Sequence, residues 1–540
     1  MRSLIVLLSA LFFLSCPQAQ SVMDTIKRYP ILDQGRIKPL NTFARESAYE
    51  ITGRENPFTM TGIEFLLMLL DNPDKVTLHN FIRLDNAELK TEFGFPVKEK
   101  YFNFQQFLKQ PNLSSLFDQV REKGNRKEKL SPRDEAVRKV EHSLHLISGI
   151  MSGELLAIIP DKTDPAKFLP LSSLEVRQDQ EQMKLVSSFV KIARGYNEKT
   201  PELMLEGTNE FSSSLSGKWN PSPKQISQFD QEVFYLDFKP YRKAALFYGF
   251  SLLLIGFFLQ FTTQSMLKTM AQACFWVGFM LHTYALGLRV YILDRPPVSN
   301  MYESVVFMAW AAALIFLITQ WRRFDSIYHL SASLCGCLTL VMADLLPMNS
   351  SLGVLEAVLR SNYWLIIHVM TIVASYGAYT LAAVLAHIYI IMSMTSRSPQ
   401  TIKSTFKLLL NSIYVGSVLL VAGLILGGVW ANESWGRFWG WDPKETWSLI
   451  TFLGYMAVLH ARKAGKIREL GVVLWSLICY ILVIMTWYGV NYIIGAGLHS
   501  YGFGSGGTHW FWLFVVVESS IALISGWILT RKKKPQAIAS

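Results

Sequence analysis

Apolar and polar positions are spread unevenly along the chain. Up to about residue 240, apolar residues recur three to four apart within polar sequence, as in "TGIEFLLMLLDN" and "SSFVKIARGYN". That spacing predicts amphipathic helices, and "EFGFPVKEKYFNF" reads as a turn-rich stretch between them. From about Lys243 onward, runs of roughly 20 apolar residues recur, each long enough to cross a hydrocarbon core of about 30 Å. Nine membrane helices are predicted, over roughly 244–262, 270–293, 303–321, 327–346, 364–394, 408–430, 446–462, 470–494 and 510–530. The expected fold class is therefore mainly α: a polytopic helical membrane domain over 243–530, preceded by a mostly helical soluble domain over 23–240 and followed by a basic tail over 531–540.

The net charge of +11 would suit a nucleic-acid ligand, but its placement argues against that partner. Alternate connections hold Lys268; Arg322 and Arg323; Arg397, Lys403 and Lys407; Arg462, Lys463, Lys466 and Arg468; and Arg531 to Lys534. The other set holds only Arg295, Arg360, Arg437 and Lys444. Positive charge marks the cytoplasmic side, so the second set is expected to face outward, with lipid around the helices. The first residues agree. "MRSLIVLLSALFFLSCPQAQ" has an early Arg, an apolar stretch and small residues near its end, the pattern of a secretory signal over 1–22. The domain over 23–240 is then exported, and a bacterial inner membrane with periplasmic outward loops is the expected location. Cys16 follows a poor lipobox, "FLSC", so lipidation, nearby cleavage and an uncleaved anchor all stay open. Cys274, Cys335, Cys337 and Cys479 fall in predicted spans, where cysteine behaves as a small buried hydrophobe. Cys335-Gly-Cys337 is not the CxxC of thiol oxidoreductases.

One outward connection stands apart. "WANESWGRFWGWDPKETW", residues 430–447, places Trp430, Trp435, Trp439, Trp441 and Trp447 within eighteen positions. Its Asp442-Pro443-Lys444-Glu445 has the form of a helix start, with a capping Asp, Pro at the first position and Glu closing a capping box. His368 lies about one turn inside the outer end of the fifth predicted helix, and His499 just beyond the outer end of the eighth. Taken singly, each reads as well as a hydrogen-bonded interfacial histidine. Together, two imidazoles and an aromatic wall suit a flat, apolar, iron-bearing ligand, because haem iron accepts axial imidazoles on both faces and indole offers broad apolar surface. Zinc asks for three or four N, S or O ligands, and no third is evident. Arg437 and Lys444 are candidate partners for the haem carboxylates. His460, near the cytoplasmic end of the seventh helix, is an ionisable residue in a span and a candidate for a second, inner site. Its partner is His387, His282 or a residue of another subunit. In the exported domain, His79, His142 and His145 lack ligand partners beyond one another, so docking is a better reading there than chemistry.

At these residues the sequence resembles a known family. "WGRFWGWDPKETW" is similar to the WWD signature of haem-handling proteins, and "RPPVSNMYES", "YWLIIHV", "VLHAR" and "GLHSYGF" resemble, in order and spacing, the CcsA (ResC) cytochrome c biogenesis proteins of system II. "GRIKPLNTFARE" resembles part of fused CcsB-CcsA forms. The resemblance implies that His368 and His499 are axial ligands of a haem b held against the WWD loop, with Trp430, Trp435, Trp439, Trp441, Asp442 and Trp447 around it, and that His460 is a further haem ligand. It implies haem export and attachment to apocytochrome c at CxxCH motifs, with a ResB/CcsB-like subunit and thiol-reducing proteins as partners. The single N-terminal apolar run is signal-like and has no His, unlike full fusions. A haem chaperone of the CcmC type that never ligates, a membrane electron-transfer cytochrome and a lipid or solute transporter are the competing readings.

Overall fold

The structure, a computed structural model, describes residues 22–532 apart from 72–75, 127, 129, 165, 262–263, 321–324, 346–347, 349, 354–360, 396, 496 and 498–507. The signal-like segment, Cys16 and the end of the basic tail lie outside the described residues. The chain divides into two units, Met1–Asp237 and Phe238–Ser540.

In the first unit, the amphipathic stretches become helices because their apolar faces share one core. Gly62–Asp71, Pro132–Ser152, Gln180–Asn197 and Pro201–Ser216 bury Phe65, Leu66, Ile147, Phe189 and Phe211 together. Their starts are set locally. Ser131 and Asp134 form a capping box ahead of Pro132, and Asp179 accepts from the amides of Glu181 and Gln182. Three short antiparallel pairs add to the helices: Pro30–Asp33 with Arg36–Pro39, Ile82–Arg83 with Tyr101–Phe102, and Ala157–Pro160 with Phe168–Pro170. The middle pair takes a strand from the stretch that reads as turns in the sequence.

The second unit is a helical bundle. Among its described residues run α1 (Pro240–Phe261), α2 (Ser265–Leu293), α3 (Met301–Thr319), α4 (Ser326–Leu345), α5 (Met370–Met394), α6 (Pro399–Trp435), α7 (Pro443–Lys463), α8 (Glu469–Ile484) and α9 (Thr508–Lys532). A π-helical turn, Leu365–Val369, leads into α5, and a longer π-helix, Met485–Ile494, extends α8. Eight of these stretches are long and apolar enough to cross a membrane, as a polytopic helical membrane protein requires. The exception is α7, which is as long as its neighbours but carries Lys444 and Glu445 at one end and His460, Arg462 and Lys463 at the other. Packing places it in the bundle all the same, between α6 and α8. Helix α3 is buried on nearly every side and touches α4 and α5. Helix α9 leaves Trp510, Trp512, Val516, Leu523 and Trp527 exposed, the apolar surface a peripheral membrane helix turns to lipid.

Helix α6 departs most from expectation. It is 37 residues long, about 55 Å at 1.5 Å per residue, whereas the apolar run predicts 408–430. Its stop signals lie outside that run. Ser398 caps the first turn, Pro399 takes the first position, and Gly436 ends the helix in a left-handed conformation. Trp430 to Trp435 are consequently helical, and the irregular part of the tryptophan stretch is only 436–442. This marks the tryptophan end of the bundle; the connections after α7 and α5 mark the opposite, basic end.

Candidate functional site

The turn Leu365–Val369 carries His368, and π-helical turns recur at functional sites because they re-aim one side chain. The His368 Nδ1 lies 2.9 Å from the Gly423 carbonyl oxygen of α6. A carbonyl only accepts, so Nδ1 holds the proton and Nε2 the lone pair, the tautomer a metal-ligating imidazole needs. The ring sits edge-on to Trp430 at 5.6 Å, and Trp430 lies nearly parallel to Trp364 at 6.4 Å and 9°. Trp364 donates to Glu433 over 2.8 Å, which fixes the pair. The close approach of α6 depends on two small residues. A Cβ at Gly427 would stand 2.5 Å from His368 Cε1, and one at Gly428 would stand 2.5 Å from the Phe438 ring.

His368 lines a cavity of about 140 Å³ that opens at one side. Val369, Ile372 and Tyr376 line it from the α5 side, Leu424, Gly427, Gly428 and Trp430 from α6, and Phe438 and Trp439 from the loop. Lys444, Glu445 and Ser448 come from α7, and Trp487 and Asn491 from the second π-helix. Both π-helical segments thus border one cavity. Trp487 donates to the Ser304 hydroxyl over 2.9 Å, and Asn491 donates to the Trp487 carbonyl over 3.1 Å.

The remaining wall, Val298 to Met301 with Ser304, is held from behind by a buried ionic cluster. Glu303 receives Arg289 Nη2 at 2.8 Å and Arg295 Nη1 at 3.0 Å, and also the Ser299 amide at 2.9 Å and hydroxyl at 2.6 Å. Arg289 and Glu303 are 1% exposed. Arg289 and Arg295 also reach the carbonyls of Ser350, Ser351 and Gly353, tying a second connection to the first. The "RPPVSNMYES" stretch is therefore a scaffold for the cavity rim.

The loop is fixed at both ends. Asp442 accepts from the Lys444 amide, and Glu445 reaches back to the Asp442 amide, completing the capping box. Trp441 has φ 57°, a left-handed conformation that costs a residue other than glycine about 1–3 kcal/mol and persists only where surroundings impose it. The Trp441 ring is 70% exposed and meets Trp439 edge-to-face at 5.9 Å.

Of the residues singled out in the sequence, His368, Trp430 and Trp439 converge on the cavity. Asp442 acts one step behind by starting the helix that delivers Lys444 and Glu445. Trp435, Trp441 and Trp447 are not among the lining residues. Arg437 lies 3.7 Å from Glu445 and over the Trp435 ring, whereas Lys444 borders the cavity. His499 lies outside the described residues. Gly497, two residues before it, packs on the loop, where a Cβ would stand 2.3 Å from Asp442 Oδ2.

His460 belongs to a second, more open cavity of about 1040 Å³. Tyr414, Ser417, Val418 and Val421 of α6, Phe452, Met456 and Leu459 of α7, and the basic-end residues Arg462, Lys463, Arg468 and Glu469 line it. His460 Nδ1 is 2.7 Å from the Met456 carbonyl, which again leaves the lone pair on Nε2. The two in-chain candidates for its partner are engaged elsewhere. His387 bonds the Ala383 carbonyl and lies 3.3 Å from Glu518, and His282 lies 3.1 Å from the Val306 carbonyl. Neither lines the His460 cavity.

Residues 298–499 match the family described as "Cytochrome C assembly protein". Protein NrfI of Wolinella succinogenes is 30% identical over 490 residues, covering 87% of this chain and 53% of NrfI, so the chain spans about half the length of that relative. Cytochrome c biogenesis proteins CcsA from two Synechococcus strains are each 32% identical. The CC9605 protein is matched over 47% of this chain and 95% of its own length, and the CC9902 protein over 42% and 84%. A solved chain titled "Cytochrome c Heme Lyase CcmF" aligns with a TM-score of 0.40 and 15% identity over 54% of this chain and 50% of its own, a likeness too slight to carry an argument.

Proposed function

Because the chain belongs to the CcsA family of cytochrome c biogenesis proteins, we propose that it carries haem b across the inner membrane and attaches it to apocytochrome c at CxxCH motifs on the periplasmic side. The tryptophan end faces out and the basic end faces the cytoplasm, in keeping with the positive-inside rule. The observation that supports this reading best is His368, held in the ligating tautomer at the wall of an aromatic cavity.

The residues present fit a haem. Trp430, Phe438 and Trp439 offer flat apolar surface, His368 Nε2 offers one axial donor, and Lys444 offers a cation for a carboxylate. His499 would be the candidate for a second imidazole ligand, and a haem held by two imidazoles would be shielded from oxygen. The protein's own work is positioning and exclusion of water. It holds the macrocycle so that each cysteine thiol adds across a vinyl group, the sulfur bonding one carbon and the proton passing to its neighbour. The histidine of the CxxCH motif would compete with His368 and His499 for the attached haem and so favour release of the product.

The basic-end cavity receives haem first, through His460. Its second ligand comes from a ResB/CcsB-like subunit, which accounts for a cavity with one histidine among its lining residues. Thiol-reducing proteins keep the apocytochrome cysteines available. Co-expression with a CxxCH-bearing apocytochrome and a ResB-like subunit tests the activity. Covalent haem on the cytochrome, seen by haem staining after denaturing electrophoresis, is the expected result, and its absence in the presence of both partners would oppose the proposal.

A further inference from the structure

The tryptophan-end cavity carries hydrogen-bond acceptors that a haem cannot use. Asn491 lines it and is 3% exposed. Its amide nitrogen is engaged, since Nδ2 donates to the Trp487 carbonyl over 3.1 Å and to Met301 Sδ over 3.0 Å. A flipped amide would set two oxygens against each other, so those contacts fix which end is which. The other end, Oδ1, is buried and receives no hydrogen bond. Buried polar atoms are nearly always paired in native proteins, and the cavity is the open space from which a donor can reach this one.

Glu445 repeats the pattern at the start of α7. Its side chain is 10% exposed and lines the same cavity. Oε2 accepts from the amides of Gly440 and Asp442 over 2.8 and 3.2 Å. Oε1 is buried and receives no hydrogen bond, with Arg437 Nη1 standing 3.7 Å off. Helix α7 packs on the π-helix Met485–Ile494 that carries Asn491, and the hydroxyls of Thr451 and Thr486 meet across that contact at 2.9 Å. Both acceptors therefore belong to the α7–π-helix wall, apart from the wall that presents His368.

A metallated porphyrin keeps no ring N–H, its vinyl and methyl groups form no ordinary hydrogen bonds, and its ionised carboxylates only accept. Lys444 suits such a carboxylate, whereas Glu445 would repel it. The other substrate of the attachment reaction is a peptide, which brings a row of main-chain N–H donors; its cysteine S–H groups donate only weakly.

We propose that Asn491 Oδ1 and Glu445 Oε1 are a peptide-recognition pair: they accept main-chain N–H groups of the CxxCH segment and so set its cysteines beside the haem edge. They are positioning residues and take no part in making or breaking bonds. This inference rests on the proposed haem attachment and names the groups that hold its second substrate.

The test uses the full chain co-expressed with its ResB-like partner, purified in detergent with its haem, and a reduced synthetic peptide spanning a CxxCH motif. The reduced absorption spectrum of each variant is recorded first, and attachment is then followed against peptide concentration. Asn491→Leu removes the amide at similar volume. Glu445→Gln keeps one oxygen for the Gly440 and Asp442 amides and replaces the other with an NH2 donor. Each is expected to raise the KM for peptide about tenfold, with kcat and the His368-dependent spectrum unchanged. The same peptide with alanine at both cysteine positions should inhibit, and its inhibition constant should rise in parallel. An unchanged KM in either variant that retains its haem would overturn the pair. Loss of haem from Glu445→Gln would also overturn it, by making the acceptors part of the haem site. A raised KM without a raised inhibition constant would move the contact to the thiols and contradict the main-chain assignment. A wild-type protein that holds no haem, or attaches none, would instead refute the function beneath.

Discussion

The two cavities of the membrane unit hold one histidine each among their described lining residues and are otherwise unalike. The tryptophan-end cavity is the smaller, about 140 against 1040 Å³. Aromatic rings wall it, a capped helix start and two π-helical segments shape it, and a buried Glu303–Arg289–Arg295 cluster braces it. The basic-end cavity is wide and bordered by Arg462, Lys463 and Arg468, and its histidine bonds back to its own helix, at the Met456 carbonyl. The first is preorganised to hold a flat ligand in one orientation. The second is wider and less enclosed, as the proposed completion by a partner subunit requires. Preorganisation lowers the cost of binding, so the proposed function expects the resting ligand at the tryptophan end.

Removing the brace should have the largest effect. Glu303→Ala leaves Arg289 and Arg295 buried without their carboxylate, and breaking such a cluster costs about 3–5 kcal/mol. Thermal unfolding of the purified protein should shift accordingly, and haem at the tryptophan end should be lost first. An unchanged unfolding temperature would mean that the rim does not depend on the cluster. Gly427→Leu should come next. The added side chain pushes into the His368 ring and breaks its bond to Gly423, a change that typically weakens metal affinity about 10–100-fold. Reduced absorption spectra should show the His368-dependent haem diminished and the His460-dependent haem intact. Equal losses at both ends would erase the distinction between the cavities.

Asp442→Ala removes one cap, worth about 1 kcal/mol. It should loosen Lys444 and the loop, and speed haem loss from the tryptophan end modestly, as followed by transfer to an apoprotein acceptor. Asp442→Asn, which keeps the capping oxygen, should behave nearly as wild type. If the two variants behave alike, the carboxylate charge matters rather than the cap. Added salt should have the smallest effect. It screens the exposed charges of the basic end and should weaken haem capture there slightly while leaving the tryptophan end unchanged.

Much of this arrangement was legible in the sequence, for identifiable reasons. Helix positions followed from apolar runs, because a membrane segment must satisfy its backbone within itself. The helix start at Asp442 followed from local capping chemistry. The placement of His368, Trp430 and Trp439 together follows from their clustering at one end of neighbouring helices. What stayed hidden is tertiary. No local signal marks Leu365–Val369 or Met485–Ile494 as π-helical, so Trp487 and Asn491 went unnoticed as cavity residues. Gly427 and Gly428 looked like ordinary small residues of a membrane helix, although each is required by a ring on another segment. The run 408–430 understated α6, because its caps lie in polar flanks. Of Trp435, Trp441 and Trp447, which the resemblance grouped with the haem, none borders the cavity. Composition draws aromatic residues to the same loop whether they face a ligand or solvent.

The most direct measurement is the reduced absorption spectrum of the purified protein, co-expressed with its ResB-like partner, compared with His368→Ala plus His499→Ala in the presence and absence of imidazole. A six-coordinate haem spectrum that weakens in the double variant and is partly restored by imidazole is the expected result, and it would place the ligand in the aromatic cavity. A spectrum indifferent to both substitutions, or a wild-type protein without haem, would contradict that placement.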